Sequence, residues 1–123
     1  MSSHLSDRNL NLPILTSVDA WVYSYLAMTD SQKAFDLVLH AIADPTRRKI
    51  LQVLKKGSSG EHPGLCATEI EMKIRLSQPT ISHHMAVLQK AGLVDAKKEG
   101  LWRWYRRNES GLSAFTRKLR RDL

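Results

Sequence analysis

The sequence holds one cysteine, Cys66, in 123 residues, and this excludes a disulfide bond within the chain. No apolar run approaches the ~20 residues needed to span a bilayer. The first 20 residues carry Asp7, Arg8 and Asp19 and lack the continuous apolar core of a signal peptide. We therefore expect a cytoplasmic protein that has no membrane partner.

Catalytic patterns are also missing from the sequence. We find no nucleophile–base pairing, phosphate-binding loop or carboxylate pair at a recognisable spacing. We therefore expect a protein that is not an enzyme, has no catalytic residues and uses no cofactor. The length of 123 residues suits one compact domain.

Positive charge is in excess and is unevenly distributed along the sequence. Nineteen Lys and Arg residues against 12 Asp and Glu residues give a net charge of +7. Residues 1–34 carry two bases and three acids, whereas residues 95–123 carry nine bases and four acids. A basic region of this kind indicates a polyanionic partner.

Apolar residues recur at helical spacing in the first half of the chain. The pattern predicts a helix at about 18–28, after a flexible arm over residues 1–16. Thr29 to Ser31 offers a cap for a second helix that ends near Ala43. Asp44-Pro45 then reads as the N-cap and first residue of a third helix, which buries Ile50, Leu51 and Leu54 and ends at Gly57. We expect residues 17–123 to form one domain.

Two further helices follow, joined by a tight turn. The first runs from about Ala67 to Ile74, and Arg75-Leu76 forms the turn. In the second, Ser77 is a candidate N-cap, Pro79 lies in the first turn, and the helix ends near Ala91-Gly92. Its predicted buried stripe consists of Ile81, Met85 and Leu88. This is the helix-turn-helix arrangement.

The polar side of the second helix suits DNA recognition. Short hydroxyl and amide side chains near a helix N-terminus can bond base edges and phosphates in a major groove. The candidate DNA-binding residues on this helix are Ser77, Gln78, Thr80, Ser82 and His83. For the neighbouring His84 we expect packing against the core or a polar contact at its edge.

The next segment reads as a basic β-hairpin with its turn at residues 98–100. Such a hairpin after a recognition helix is a wing, and we expect Lys97, Lys98, Arg103 and Arg106 to contact phosphates. Trp102, Trp104 and Tyr105 are compatible with base stacking, but we favour packing against the helical body. Asn108 is expected to cap a last helix with Leu112, Phe115 and Leu119 on its apolar face.

These pieces together resemble the ArsR/SmtB family of winged helix-turn-helix repressors. The resemblance covers roughly residues 32–123, and three segments carry it: Ala43 to Leu51, Leu76 to His84 and Ala91 to Val94, followed by the hairpin that contains Trp104-Tyr105. It implies a mainly helical fold with a small β-hairpin, in which residues 17–123 form one DNA-binding and dimerisation domain. It also implies a homodimer, paired through its first and last helices, that binds a palindromic operator in double-stranded DNA and represses transcription.

The sequence departs from the family at the metal-sensing positions. Many members use a Leu-Cys-Val-Cys-Asp-Leu motif, but here Thr68 stands in place of the second cysteine, after Cys66. Other members use histidine on the last helix, and Glu109 to Leu123 contains none. A soft-metal site needs two or three thiolates. We therefore expect no metal site and a metal-independent repressor.

Two alternatives remain open at this point. The first is a metal- or redox-responsive sensor that uses Cys66, although a small buried side chain is the favoured role for this cysteine. The second is a protein-interaction module that uses the aromatic face near Trp21. An unidentified inducer or protein partner is compatible with either.

Overall fold

The computed structural model describes residues 17–57 and 64–123. These residues fall into two compact units, one up to Lys33 and one from Ala34 onward. The predicted arm over residues 1–16 and the segment 58–63 lie outside the described residues. The fold class expected from the sequence, mainly helical with a small sheet, is confirmed.

The described part of the first unit holds helix α1 (Ser17–Leu26) and the beginning of helix α2 (Asp30–Ala43). The start of α2 has a reciprocal capping box. The backbone N–H of Gln32 donates to Thr29 Oγ1 at 3.2 Å, and the Thr29 N–H donates to Gln32 Oε1 at 2.8 Å. Both bonds satisfy N–H groups that lack partners within the helix. The predicted cap before the second helix is confirmed.

The second unit contains the rest of α2 and all later elements. Helix α3 (Pro45–Gly57) is followed by the short strand β1 (Leu65–Cys66), helix α4 (Ala67–Ile74) and helix α5 (Gln78–Lys90). Strands β2 (Val94–Glu99) and β3 (Trp102–Arg107) form the hairpin, and helix α6 (Glu109–Asp122) ends the fold. Within residues 17–57 and 64–123, no helix is long and apolar enough to cross a membrane.

The helix-turn-helix forms where the sequence predicts it. The turn between α4 and α5 depends on Arg75, whose φ of 63° places it in the left-handed region and whose N–H donates to the Glu71 carbonyl at 2.7 Å. A left-handed residue at this position ends α4 and redirects the chain within three residues. The helix that follows presents its predicted stripe of Ile81, Met85 and Leu88 to the core.

The sheet has one more strand than the sequence predicts. β1 pairs antiparallel with β3, Leu65 opposite Tyr105 and Cys66 opposite Trp104, so the strand order is β1-β3-β2. A two-residue strand carries no readable alternation, which is why the expected two-stranded wing is incomplete. The predicted turn at residues 98–100 is also shifted, because Glu99 pairs with Trp102 and leaves Gly100 and Leu101 as a two-residue loop.

The core of the second unit is built from the apolar faces of its helices and from the base of the sheet. Phe115 of α6 packs against Phe35 of α2 with ring centroids 5.3 Å apart. Asn108 caps α6 as predicted, its Oδ1 accepting the Gly111 N–H at 2.8 Å. The side chains with the least exposure are Ala41, Ile50, Leu54, Ile70, Ile81, Met85, Leu88 and Leu93.

One close approach fixes the position of α6. A Cβ built on Gly111 would overlap the carbonyl oxygen of Gly92, which lies in the turn after α5. Only a residue without a side chain allows the first turn of α6 to pass this close to the backbone. The contact ties the end of the recognition helix to the start of the last helix.

The end of α2 is capped by two arginines from α3. An α-helix leaves its last four carbonyl groups without partners in the helix. Arg47 donates to the His40 and Ala41 carbonyls at 3.1 and 2.7 Å, and Arg48 donates to the Ile42 and Ala43 carbonyls at 2.7 and 3.1 Å. The last four carbonyls of α2 therefore each accept a hydrogen bond from an arginine. The positive charge of these side chains also suits the negative end of the helix dipole.

Candidate nucleic-acid interface

Helix α5 separates a buried face from a polar, exposed edge. Ile81, Met85 and Leu88 are at most 1% exposed. The five candidate DNA-binding residues of the helix all have exposed side chains: Ser77, Gln78, Thr80, Ser82 and His83. The helix thus offers hydroxyl, amide and imidazole groups to a partner along one edge, while its other face anchors it to the protein.

Ser77 stands at the N-cap position, but its side chain forms no cap bond. Its backbone is extended, and its carbonyl accepts the first helical bond from the Ile81 N–H at 2.9 Å. The Ser77 hydroxyl instead lies 2.9 Å from Thr80 Oγ1. Ser77 is therefore the N-cap residue, as predicted, although its side chain does not cap the helix. The first N–H groups of α5 have no bond from this serine, and the helix N-terminus is a suitable place for an anion.

The wing carries four exposed cations, as expected from the sequence: Lys97, Lys98, Arg103 and Arg106. Lys97 lies 3.2 Å from Glu99 and Arg106 lies 3.9 Å from Asp95, and these exposed ion pairs contribute little to stability. Lys98 and Arg103 stand directly opposite each other on neighbouring strands. Like charges in this position repel, and a phosphate group near both would relieve the repulsion.

The preferred prediction for the wing aromatics is wrong for Trp102. This side chain is 58% exposed, and the adjacent Leu101 is fully exposed at the tip of the hairpin. Strand alternation puts Trp102 and Trp104 on one face and Tyr105 on the other, and only the Tyr105 face meets the core. Trp102 lies too near the tip to reach the helices, whereas Trp104, two residues closer to the base, is half-buried.

A groove separates the C-terminal half of α5 from the wing. It joins Gln89 of the helix to one face of the hairpin, on which two of the four wing cations lie, Lys97 and Arg106. Lys98 and Arg103 alternate to the opposite face of the hairpin. The groove is lined by Gln89, Val94, Asp95, Ala96, Lys97, Trp104 and Arg106.

A buried arginine connects the recognition helix to the end of α2. Arg47 is 7% exposed, and besides its two carbonyl bonds its Nη1 lies 3.2 Å from Nδ1 of His84. Asp44, the N-cap of α3, accepts the Arg47 backbone N–H at 3.0 Å and lies 3.9 Å from the same imidazole nitrogen. His84 therefore makes a polar contact at the edge of the core, one of the two roles expected for it.

The protonation states follow from this geometry. A guanidinium group only donates hydrogen bonds, so Nδ1 of His84 must be the unprotonated acceptor of a neutral imidazole. Burial lowers the pKa of His84, and Arg47 and His83 lower it further, against the opposing effect of Asp44. The pKa of Asp44 is itself lowered, chiefly by the backbone N–H of Arg47. The neutral imidazole of His84 therefore lies between the guanidinium of Arg47 and the carboxylate of Asp44.

Sequence reasoning missed Arg47. A signal was present, because Arg47 precedes Ile50 by three residues and Leu51 by four and so lies on the buried stripe of α3. A charged residue on such a stripe must be paired. The partner, His84, lies 37 positions away. No local pattern indicates which residue that partner is.

The donor set at Cys66 does not fit a metal. The thiol is buried in β1, and the Cys66 N–H donates to Glu69 Oε1 at 3.2 Å in a capping box at the start of α4. Thr68, at the position of the missing second cysteine, is exposed. Within the part of the chain that the structure describes, no three His, Cys, Asp or Glu side chains are grouped to hold an ion.

Comparison with known proteins agrees with this architecture. Residues 44–96 match the family model described as the bacterial regulatory protein, arsR family. The chain is 43% identical over 68 residues to an uncharacterised HTH-type transcriptional regulator of Methanocaldococcus jannaschii, covering 55% of this chain and 71% of that protein. It is 36% identical over 89 residues to an arsenical resistance operon repressor of Staphylococcus aureus, covering 72% of this chain and 80% of the repressor.

The fold agrees as well. An ArsR-like transcriptional regulator from Rhodococcus superposes with a TM-score of 0.62 and 28% identity, over 76% of this chain and 82% of the regulator. The chain therefore belongs to the arsR family and is a DNA-binding transcriptional repressor of the ArsR type with a winged helix-turn-helix fold.

Proposed function

We propose that this protein represses transcription as a homodimer that recognises a palindromic operator in double-stranded DNA and that needs no metal inducer. The observation that carries the proposal is the exposed edge of α5 beside a basic wing. In this arrangement Gln78, Thr80, Ser82 and His83 contact base edges or nearby phosphates, with Ser77 at the helix start.

The wing supplies the sequence-independent part of the affinity. Phosphate contacts hold a protein on the duplex but carry no sequence information. Lys97, Lys98, Arg103 and Arg106 are exposed, and the Lys98–Arg103 repulsion is relieved when a phosphate lies near both. The wing therefore anchors the protein while α5 discriminates among sequences.

A dimer follows from the reach of one recognition helix. The exposed polar edge at the start of α5 consists of Ser77, Gln78, Thr80, Ser82 and His83, and such a short edge reads only a few base pairs. Two copies related by a two-fold axis would read two half-sites one DNA turn apart, at ~34–36 Å. The relatives of this chain support the repressor role, and the paired operator is our extension of it.

Metal independence is proposed from the donor set. A thiophilic ion requires several thiolates, and Cys66 is a single, buried thiol. Zinc, nickel, arsenite and peroxide should therefore leave DNA affinity unchanged. A loss of affinity with any of these agents would favour the sensor alternative instead.

The test begins with a duplex selected from a random pool by the wild-type protein, compared with a shuffled duplex of the same composition. The Thr80→Ala/Ser82→Ala variant should lose most of the discrimination between the two, since each base contact is worth ~1–3 kcal/mol. The slope of log affinity against log salt should stay the same, because no phosphate contact of the wing is removed.

The matched control is Ser113→Ala/Thr116→Ala, which removes the same two hydroxyl types from the exposed face of α6. It should bind both duplexes as the wild type does. Full discrimination by the Thr80/Ser82 variant would place sequence recognition elsewhere. A wild-type protein that enriches no sequence from the pool would contradict operator recognition altogether.

A further inference from the structure

Arg47 places two independent parts of the fold in contact through one planar group. Its guanidinium donates to the last carbonyls of α2 on one side and to His84 of α5 on the other. A guanidinium is rigid and its N–H directions are fixed, so bonds on both sides restrict rotation of α5 about its own axis. The orientation of the recognition helix is thereby tied to the end of α2.

His84 belongs to the same helix as the exposed edge. It follows Thr80 by one helical turn and is the direct neighbour of His83. Its side chain is only 13% exposed, so it is held against the protein while the neighbouring edge faces solvent. Contacts to base edges need side chains placed to within roughly 0.5 Å. Loss of the contact between Arg47 and His84 therefore shifts the side chains on the exposed edge of α5 that are proposed to touch DNA.

The contact exists in only one protonation state of His84. Protonation at Nδ1 removes the acceptor for Arg47 and places a second positive charge 3.2 Å from the guanidinium. Three charged or titratable groups face the imidazole: Arg47 from α3, Asp44 from the junction of α2 and α3, and His83 from α5, with a ring-centroid distance of 5.8 Å. Asp44 attracts the protonated ring, but this carboxylate already accepts the Arg47 backbone N–H.

We propose that Arg47 and His84 are positioning residues that set the orientation of the recognition helix, and that operator discrimination requires the neutral form of His84. The inference rests on the proposed function and adds a requirement to it. Discrimination between operator and other DNA should therefore fall between pH 8 and pH 5.5, although the overall positive charge of the protein rises over this range.

The ratio of two affinities isolates this effect. Added positive charge on the protein at low pH favours phosphate binding, and it raises the affinity for selected and shuffled duplexes alike. The measured quantity is therefore the affinity for the selected duplex divided by that for the shuffled duplex. Both are determined at fixed salt at pH 8.0 and pH 5.5.

Two substitutions of His84 distinguish the loss of its hydrogen bond with Arg47 from the protonation of its side chain. In His84→Asn the amide Oδ1 can stand where Nδ1 stands and accept from Arg47, but the side chain does not titrate. In His84→Ala the acceptor is lost at every pH. The matched control is His40→Asn, which removes an exposed histidine of α2 and keeps the carbonyl that Arg47 uses. Circular dichroism establishes that each variant is folded at both pH values.

The expected results differ for each variant. The wild type and His40→Asn should lose part of their discrimination at pH 5.5, by less than about tenfold, because a pKa below 6.5 leaves a fraction of His84 neutral at this pH. His84→Asn should discriminate equally at both pH values, and His84→Ala should discriminate poorly at both with an unchanged salt slope. A pH-dependent ratio in His84→Asn would overturn the inference, and so would full discrimination by a folded His84→Ala.

Failure of the proposed function would look different. If the wild type does not distinguish the two duplexes at pH 8.0, sequence-specific binding is wrong and the inference falls with it. If the wild type distinguishes them and the His84 variants behave as the wild type does at both pH values, only the positioning role is wrong. The Asn variant keeps the test decisive even where the Ala variant unfolds.

Discussion

Replacing Arg47 by alanine should destabilise the protein far more than the same change at its neighbour Arg48. Both side chains cap the end of α2 with two carbonyl bonds at similar distances. They differ in surroundings, because Arg47 is 7% exposed and also bonds His84, whereas Arg48 is exposed. Comparing the two alanine variants therefore measures the same type of helix cap at a buried position and at an exposed one.

The magnitude follows from the groups that lose their partner. Ala41 is fully buried, so water cannot easily replace the guanidinium at its carbonyl, and the His84 side chain is only 13% exposed. An unsatisfied buried acceptor costs about 1–3 kcal/mol, and two of them give roughly 2–6 kcal/mol for Arg47→Ala. Arg48→Ala should cost about 1 kcal/mol or less, because solvent reaches the carbonyls that it leaves.

Urea denaturation followed by circular dichroism measures both variants. Protein concentration must be identical throughout, because dimer formation would make the midpoint concentration-dependent. In thermal unfolding, 1 kcal/mol corresponds to about 4 °C for a chain of this length. Equal costs for the two variants would refute the reasoning, since they would show that neither burial nor the bond to His84 adds to the cap.

Three further predictions concern other parts of the fold. Gly111→Ala should cost about 1–3 kcal/mol, because the new Cβ overlaps the Gly92 carbonyl, while Ser113→Ala on the same helix should have little effect in the same melt. Lys98→Thr should slightly raise the free energy of unfolding, because it removes the repulsion with Arg103. The same substitution should weaken DNA binding and reduce the salt dependence of the affinity. A lower free energy of unfolding would contradict the like-charge argument. Since the pKa of His84 is lowered from its ordinary 6.5, stability should be complete above that pH and decline as pH falls through the lower folded-state value. His84→Asn should lack this part of the decline in urea titrations at successive pH values, and an unchanged decline would assign it to other groups.

Much of the fold could be predicted because its determinants are local. Asp44-Pro45 marks the start of α3, Asn108 caps α6, and the stripe from Ile81 to Leu88 defines the buried face of α5. Each signal acts within one or two helical turns, where sequence spacing and spatial spacing coincide. For the same reason the exposed polar edge of α5 could be named residue by residue.

The parts that escaped prediction depend on distant partners or on very short segments. β1 exists only because Leu65 and Cys66 meet β3 about 40 residues later. Trp102 and Trp104 have the same type of side chain on the same strand face, and only the length of the hairpin decides that one is exposed and the other half-buried. Alternation assigns a face but not a distance from the core.

The recognition helix illustrates how these two kinds of information combine in function. Its local sequence decides which residues face outward, but a helix with a correct edge can still be rotated by several degrees about its axis. Ile81, Met85 and Leu88 limit that rotation through packing, which is not directional. The Arg47–His84 bond is directional, and it is the part of the anchor that a proton can remove. Specificity for the operator therefore depends on the Arg47–His84 contact, which lies outside both the exposed edge of α5 and the wing.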